Sequence, residues 1–131
     1  MTIYVLCGLP ASGKTTLSKQ LADSHKAKLY CFDDCKIKGT ELYRKIRKDL
    51  ETCNVVLDAM FIRKRWRREL LDILDIDCKK ILIVLDTSLE VCIERNIIRG
   101  EYPSNGAIRH LAKEYEEPTL DEGWNEILHY S

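Results

Sequence analysis

Short apolar runs alternate with longer amphipathic stretches along most of this chain. The runs are rich in residues that favour β-structure and predict four strands, at residues 3–7, 29–32, 54–57 and 80–85. Almost every position in them is apolar, which is typical of a parallel sheet that helices cover on both faces. The stretches between them have helical spacing and predict five helices, at residues 14–24, 40–52, 64–74, 89–98 and 105–114. This alternation predicts an α/β fold in three layers.

The pattern at the end of the chain does not decide how many strands the sheet contains. Residues 124–130 could add a fifth strand, although a helix fits their pattern nearly as well, so we expect four to five strands. Ser88 and Ser104 stand directly before predicted helices, where a serine side chain can cap the free amide groups. With 131 residues and no repeat or linker, the chain is expected to form one domain over residues 1–131.

Residues 8–15 read G-L-P-A-S-G-K-T, which fills every required position of the phosphate-binding loop (P-loop) signature. A predicted strand enters the motif and a predicted helix leaves it, as such a loop requires. Glycines let consecutive amide groups point at phosphate oxygens, and the helix adds the positive end of its dipole. We therefore expect ATP or another nucleoside triphosphate at the residues of this loop: Gly8, Pro10, Ala11, Ser12, Gly13, Lys14, Thr15 and Thr16.

Two side chains of this loop have specific expected tasks. Lys14 would reach the β- and γ-phosphates, and the Thr15 hydroxyl would become a ligand of the Mg²⁺ that accompanies the nucleotide. The alternative is a glycine-rich turn that binds nothing. Such a turn does not need a lysine followed by a threonine.

Carboxylates follow the predicted strands at the edge where open parallel sheets bind their ligands. Asp33 and Asp34 follow the second strand, and Asp33 could accept a proton from an incoming hydroxyl. The alternative is that the pair caps the next helix. Asp58 ends the third strand and could contact the metal or the acceptor, or it could simply form a turn. Asp86 and Thr87 follow the fourth strand.

Two arginines near the end of the fourth predicted helix have the spacing of a lid. Arg95 and Arg99 are four residues apart, so a helix presents them on one face, where they could stabilise the charge of a transferring phosphoryl group. Gly100 and Pro103 follow and could form a hinge. The alternative is a solvated helix face whose charges have no common function.

The charged residues are balanced in number but unevenly distributed. Lysine and arginine number 21, as do aspartate and glutamate, so the formal net charge is zero. Residues 36–48 and 63–68 are basic, whereas the C-terminal stretch is acidic, and this asymmetry predicts a localised anionic partner. In the run R-K-R-W-R-R, Trp66 has core spacing, while the cations, Arg63 among them, could contact phosphates or be solvated.

The cysteines and the apolar runs indicate a reduced, non-membrane environment. The six cysteines form no C-x-x-C pair and lie mostly in apolar runs, so we expect neither disulfides nor a zinc site. No apolar run approaches the ~18 residues of a membrane span, and no signal peptide is recognisable. We expect a cytoplasmic protein.

Taken together, these motifs resemble the P-loop kinases of the phage polynucleotide 5′-hydroxyl kinase type and the related L-seryl-tRNA kinases. The resemblance rests on G-L-P-A-S-G-K-T-T-L, on the paired aspartates, on Asp58 and on the lid sequence R-N-x-x-R-G. It implies that Asp33 is the general base and that Arg95 and Arg99 stabilise the phosphoryl group. It also implies that Lys36 contacts an acceptor phosphate, at a position where the family has arginine.

The resemblance implies an ATP- and Mg²⁺-dependent kinase with a helical lid that phosphorylates the 5′-hydroxyl end of DNA or RNA. Residues 117–118 and 121–124 are similar to the seryl-tRNA kinases, which phosphorylate a seryl group on tRNA. A kinase of a small metabolite needs the same donor machinery without a basic acceptor surface. A non-catalytic switch that binds nucleotide is the alternative outside the enzymes.

Overall fold

A computed structural model describes residues 1–130 of the chain. Strands and helices alternate from the first residues onward. The strands are β1 (Thr2–Cys7), β2 (Lys28–Cys31), β3 (Val55–Asp58), β4 (Lys79–Leu85) and β5 (Glu126–Tyr130). The helices are α1 (Lys14–His25), α2 (Gly39–Asp49), α3 (Lys64–Ile73), α4 (Leu89–Ile98) and α5 (Asn105–Glu114). Short 3-10 turns at Phe32–Asp34 and Leu120–Glu122 complete the structure over these residues.

The five strands form one parallel sheet in the order β2-β3-β1-β4-β5. Strand β1 lies in the middle, and the chain continues first to β2 at one edge and later to β4 on the other side. The carboxyl ends of all the strands therefore lie at one edge of the sheet. This is the edge at which open α/β sheets bind ligands.

Helices cover both faces of the sheet. On one face, Leu17 and Leu21 of α1 pack against Leu6 and Val56. On the other face, α2 and α3 pack against the alternate strand positions and form the larger core, which contains Leu42, Tyr43, Ile46, Leu70, Leu74, Ile3, Val5, Val55 and Leu57. The predicted three-layer α/β fold is confirmed.

Most predicted elements agree with the structure to within one or two residues. Residues 126–130 form the fifth strand, paired in parallel with β4, so the strand interpretation of this segment is confirmed. The side chains of Ser88 and Ser104 accept hydrogen bonds from the amides of Val91 and Ala107 and cap α4 and α5 as predicted. The largest difference is in α2, which ends at Asp49 instead of residue 52.

The basic run 63–68 and the acidic C-terminal stretch bind each other. Arg67 is fully buried, and its guanidinium pairs with both carboxylate oxygens of Glu122 at 2.8 and 3.1 Å. Arg63 pairs with Glu114 at 2.9 Å. These two pairs neutralise part of the charge asymmetry within the fold, and the prediction that Arg67 is solvated or contacts a phosphate is wrong. Lys64, Arg65 and Arg68 remain exposed on α3.

The six cysteines carry free thiols in the structure. None of the helices formed by residues 1–130 has the length and apolar character needed to span a membrane.

Candidate functional site

A large cleft of about 1810 Å³ opens at the carboxyl ends of the strands. The P-loop and the start of α1 form its floor. The segments after β2 and β3, together with α2 and α3, form one wall, and α4 with the following turn forms the opposite wall. The cleft therefore collects side chains from every segment in which the sequence predicts chemistry.

The P-loop curls tightly between β1 and α1. Gly13 has a φ of 101° and precedes the first residue of α1, so it adopts a left-handed conformation that favours glycine. A Cβ atom on Gly8 would lie 2.8 Å from the Ser12 hydroxyl and 3.3 Å from Leu85 Cβ, so a larger residue at this position would displace its neighbours. Thr87, after β4, donates a hydrogen bond to the carbonyl of Ser12 at 2.8 Å and fixes the loop from the side.

The loop has free hydrogen-bonding capacity that a triphosphate would satisfy. The Ser12 hydroxyl is buried and has no hydrogen-bond partner within residues 1–130. Helix α1 begins without a side-chain cap, so its first amide groups remain available to an anion. Lys14 Nζ donates to the carbonyl of Leu9 at 2.8 Å, and burial lowers the pKa of this ammonium group. A phosphate would offset the desolvation of Lys14, so the residues present fit a nucleoside triphosphate.

Thr15 and Asp58 meet beside the loop. Asp58 Oδ2 lies 3.3 Å from the hydroxyls of both Thr15 and Ser18. Asp58 is 8% exposed, and burial raises its pKa in spite of the opposing effect of Lys14. A hydroxyl and a carboxylate are oxygen ligands of the kind that Mg²⁺ binds directly or through water. Thr15 and Asp58 could therefore hold the metal that accompanies a nucleotide, and this donor set fits it.

Asp33 stands at the end of β2, in the short turn Phe32–Asp34. It is exposed, lines the cleft, and is close enough to Lys14 and Asp58 to raise the pKa of both. Asp34 lines the same wall. Within the described chain neither carboxylate caps a helix, and α2 begins only at Gly39. The turn thus exposes the Asp33 carboxylate in the cleft.

The lid arginines line the wall opposite Asp33. Arg95 Nη1 lies 3.5 Å from the carbonyl of Ala11 in the P-loop. Arg99 is oriented by Asn96, whose Oδ1 accepts a hydrogen bond from Arg99 Nε at 3.0 Å. Asn96 is fully buried and also donates to the carbonyl of Pro103 and to Asn105 Oδ1. The asparagine therefore connects α4 to the turn that follows it and directs an arginine into the cleft.

Two residues predicted to bind the acceptor lie outside the lining of the cleft. Lys36 is exposed in the loop before α2. Arg63 packs over the ring of Trp66 at 5.9 Å and pairs with Glu114, so its guanidinium is engaged elsewhere. Trp66, predicted as a core residue, is half-buried: it packs on the larger core and also lines the cleft.

Sequence reasoning missed several side chains that shape the site. Ser18 follows Thr15 by three residues on α1, and this helical spacing could have identified it as a second partner of Asp58. Tyr43 and Glu69 lie on the wall that α2 and α3 form with the segments after β2 and β3, here termed the acceptor wall. Their positions depend on how these helices pack on the sheet, and no local sequence signal indicates them.

Comparisons with known proteins agree with this fold. No protein-family model matches the chain. The L-seryl-tRNA(Sec) kinase of Methanococcus maripaludis is 26% identical to it over 94% of the chain, and the chain spans 56% of the length of that relative. A fungal RNA kinase structure superposes with a TM-score of 0.80 at 19% identity, over 99% of this chain and 73% of the other.

Two further solved structures share the fold. A gluconokinase of Sinorhizobium meliloti gives a TM-score of 0.71 at 14% identity, covering 98% of this chain and 81% of its own. Kti12 of Chaetomium thermophilum, solved with ADP-AlF3, gives a TM-score of 0.73 at 20% identity, covering 98% of this chain and 88% of its own. The chain has the P-loop kinase fold. At these identities the likeness extends to the fold, and the acceptor must be inferred from the cleft itself.

Proposed function

We propose that this chain is a nucleoside-triphosphate-dependent kinase that phosphorylates a hydroxyl group carried by a nucleic acid. The observation that supports this best is the arrangement of charges in one cleft. Asp33 stands on the wall opposite Arg95 and Arg99, and Lys14 lies at the floor between them. A base, a phosphate anchor and a pair of cations in this order suit transfer of a phosphoryl group to an entering hydroxyl.

In this proposal each residue has one task. Lys14 and the amide groups of the P-loop hold the β- and γ-phosphates, while Thr15 and Asp58 hold Mg²⁺, which neutralises charge on the phosphates when it is bound. Asp33 accepts the proton of the acceptor hydroxyl as the oxygen of that hydroxyl attacks the γ-phosphorus atom. Arg95 and Arg99 stabilise the charge of the phosphoryl group as its bond to the leaving oxygen breaks.

Two classes of hydroxyl remain as acceptors. The 5′-hydroxyl end of DNA or RNA is favoured by the R-N-x-x-R-G lid sequence and by the paired aspartates after β2. The seryl group of a seryl-tRNA is favoured by the similarity to the Methanococcus enzyme over 94% of the chain. In both cases the phosphates of the nucleic acid would contact exposed cations beside the cleft, such as Lys36, Arg65 and Arg68.

Transfer of labelled γ-phosphate from ATP with Mg²⁺ tests the proposal. The acceptors are a 5′-hydroxyl RNA, the same RNA with a 5′-phosphate, and a seryl-tRNA. We expect label on the 5′-hydroxyl RNA or on the seryl-tRNA, none on the 5′-phosphorylated RNA, and none with Lys14→Ala protein. Lys19→Ala is the matched control, because Lys19 is exposed on the same helix and does not line the cleft.

Salt dependence provides a second test. A nucleic-acid acceptor should lose affinity steeply as salt is added, because its phosphates release counterions when lysines and arginines bind them. Label on a small metabolite instead of either nucleic acid, without salt dependence, would contradict the proposal.

A further inference from the structure

The charged residues that line the cleft are separated into two halves. The cations Lys14, Arg95 and Arg99 belong to the P-loop helix and the lid. The carboxylates all belong to the other half, which is built from β2, β3, α2 and α3: Asp33, Asp34, Asp58 and Glu69. Among residues 1–130, no lysine or arginine of this acceptor half lines the cleft. A phosphate close to the acceptor hydroxyl would therefore face carboxylates.

Tyr43 adds a specific polar group to the acceptor half. Its side chain is 4% exposed, and its hydroxyl makes no hydrogen bond to any part of the chain that the structure describes. Because the residue lines the cleft, this unpartnered hydroxyl is available to a molecule that enters there. Phe61 lies behind it, with the two ring centroids 6.2 Å apart.

Glu69 lies close to this hydroxyl. Burial, and after it the negative charge of Glu69, raise the pKa of Tyr43 to about 12. Tyr43 thus stays protonated and can donate or accept a hydrogen bond, while the carboxylate beside it favours a positive group. The aromatic surfaces of Tyr43, Phe61 and Trp66 complete a wall of the kind that binds ammonium groups in other proteins.

We propose that Tyr43 and Glu69 form an acceptor subsite that binds an alcohol carrying a free ammonium group near its reacting hydroxyl, and that disfavours a phosphate at that place. This inference rests on the kinase function proposed above, and the subsite selects between the two acceptor classes named there, the 5′-hydroxyl end and the seryl group. A seryl ester carries such an ammonium group, whereas the 5′-terminal nucleotide of a strand carries a 3′-phosphate instead. The phosphates of the nucleic acid then remain outside the cleft.

Binding of small acceptors tests the subsite separately from phosphoryl transfer. The probes are L-serinamide, which has a free ammonium group, and N-acetyl-L-serinamide, which has the same hydroxyl without the charge. Uridine and uridine 3′-phosphate form the second pair. Binding is followed by the fluorescence of Trp66, which lines the cleft, in full-length protein with ADP and Mg²⁺ present, so that no transfer can occur.

We expect serinamide to bind about tenfold more tightly than its acetylated form, as a hydrogen bond to a charged group would give. Glu69→Gln should bring this ratio close to one. Glu41→Gln should leave the ratio unchanged, because Glu41 is exposed on α2 and does not line the cleft. Tyr43→Phe should weaken both serine compounds and keep the ratio, because it removes a hydroxyl contact and leaves Glu69 in place.

Three results would overturn the proposed subsite. The first is an undetectable affinity for serinamide at millimolar concentration. The second is a ratio of serinamide to N-acetyl-serinamide affinity that Glu69→Gln leaves unchanged, and the third is tighter binding of uridine 3′-phosphate than of uridine. Each is independent of phosphoryl transfer. If the protein shows the ammonium preference but labels no acceptor, the kinase function is disproved and the subsite stands. If it labels an acceptor but shows no ammonium preference, the subsite is disproved and the kinase function stands.

Discussion

Replacing Arg67 with methionine removes a guanidinium group that holds the acceptor wall in place. Arg67 is fully buried and makes four hydrogen bonds: two to Glu122, one to the carbonyl of Phe61 at 2.7 Å and one to the carbonyl of Glu116 at 3.0 Å. Methionine fills a similar volume without any donor. The substitution therefore isolates the polar contribution of the side chain.

The expected loss follows from the groups that remain. Two carbonyl groups lose their donor, at about 1–3 kcal/mol for each one that water cannot reach. Glu122 loses its cation but keeps the Trp124 indole and the Thr119 amide as donors. Breaking a buried ion pair from one side typically costs about 3–5 kcal/mol, and we expect Arg67→Met to reduce the free energy of unfolding by that amount.

Urea unfolding at pH 7 measures this loss. Arg68→Met is the matched control, because Arg68 is exposed on the same helix, and it should change the free energy of unfolding by less than about 0.5 kcal/mol. A loss below about 1 kcal/mol for Arg67→Met would refute the assignment of Arg67 as a buried structural cation. It would mean that the guanidinium can reach solvent, which is one of the two possibilities that the sequence leaves open for this basic run.

The effect of Arg67→Met should also depend on pH. Burial alone would raise the pKa of Glu122, but hydrogen bonds from Arg67 and Trp124 outweigh burial and lower it below its ordinary value of 4.5. A carboxyl group whose pKa is lowered by folding stabilises the fold above its unfolded pKa and loses this contribution as the pH falls through the folded pKa. The stability difference between the two proteins should therefore shrink below about pH 4.5.

Four further substitutions test the cleft. Asp33→Asn should lower kcat by at least about 100-fold with little effect on nucleotide affinity, whereas Asp34→Asn should retain most activity; equal losses would remove Asp33 as the base. Asp58→Asn should leave the nucleotide-free protein at least as stable at pH 7, because burial raises the pKa of Asp58, yet reduce the thermal stabilisation by Mg²⁺ and ATP. Asn96→Leu should lower kcat about tenfold or more through misplacement of Arg99, with nucleotide KM little changed; an unchanged kcat would show that Arg99 needs no support.

The sequence was sufficient to predict the layers of the fold and the floor of the cleft. Both depend on local signals. Strands β1 to β4 contain apolar runs, and Gly8, Gly13, Lys14 and Thr15 stand at fixed offsets because the loop that joins a strand to a helix around phosphate has few solutions. The capping serines were predictable for the same reason, since the first turn of a helix needs a hydrogen-bond acceptor at one position.

The acceptor wall was not predictable in the same way. It is formed where α2 and α3 meet the segment after β3, so Tyr43 and Glu69 come together through packing between helices that are distant in sequence. The run 63–68 shows most directly which side-chain environments the sequence cannot predict. Its cations look equivalent in the sequence, yet Arg67 is fully buried and Arg68 is exposed, because α3 turns one side toward Glu122 and the other toward solvent.

The acidic C-terminal stretch supports the acceptor wall through Arg67 without lining it. Glu122 fixes Arg67, and Arg67 holds the carbonyl of Phe61, a residue whose φ of 40° is uncommon for a bulky side chain. Phe61 in turn packs beside Tyr43, whose hydroxyl is free in the cleft. Because Arg63 and Arg67 are paired with Glu114 and Glu122, neither arginine neutralises the carboxylates that line the acceptor half of the cleft. In the proposed function, the ion pairs that stabilise the fold thus contribute to the charge that an acceptor would meet.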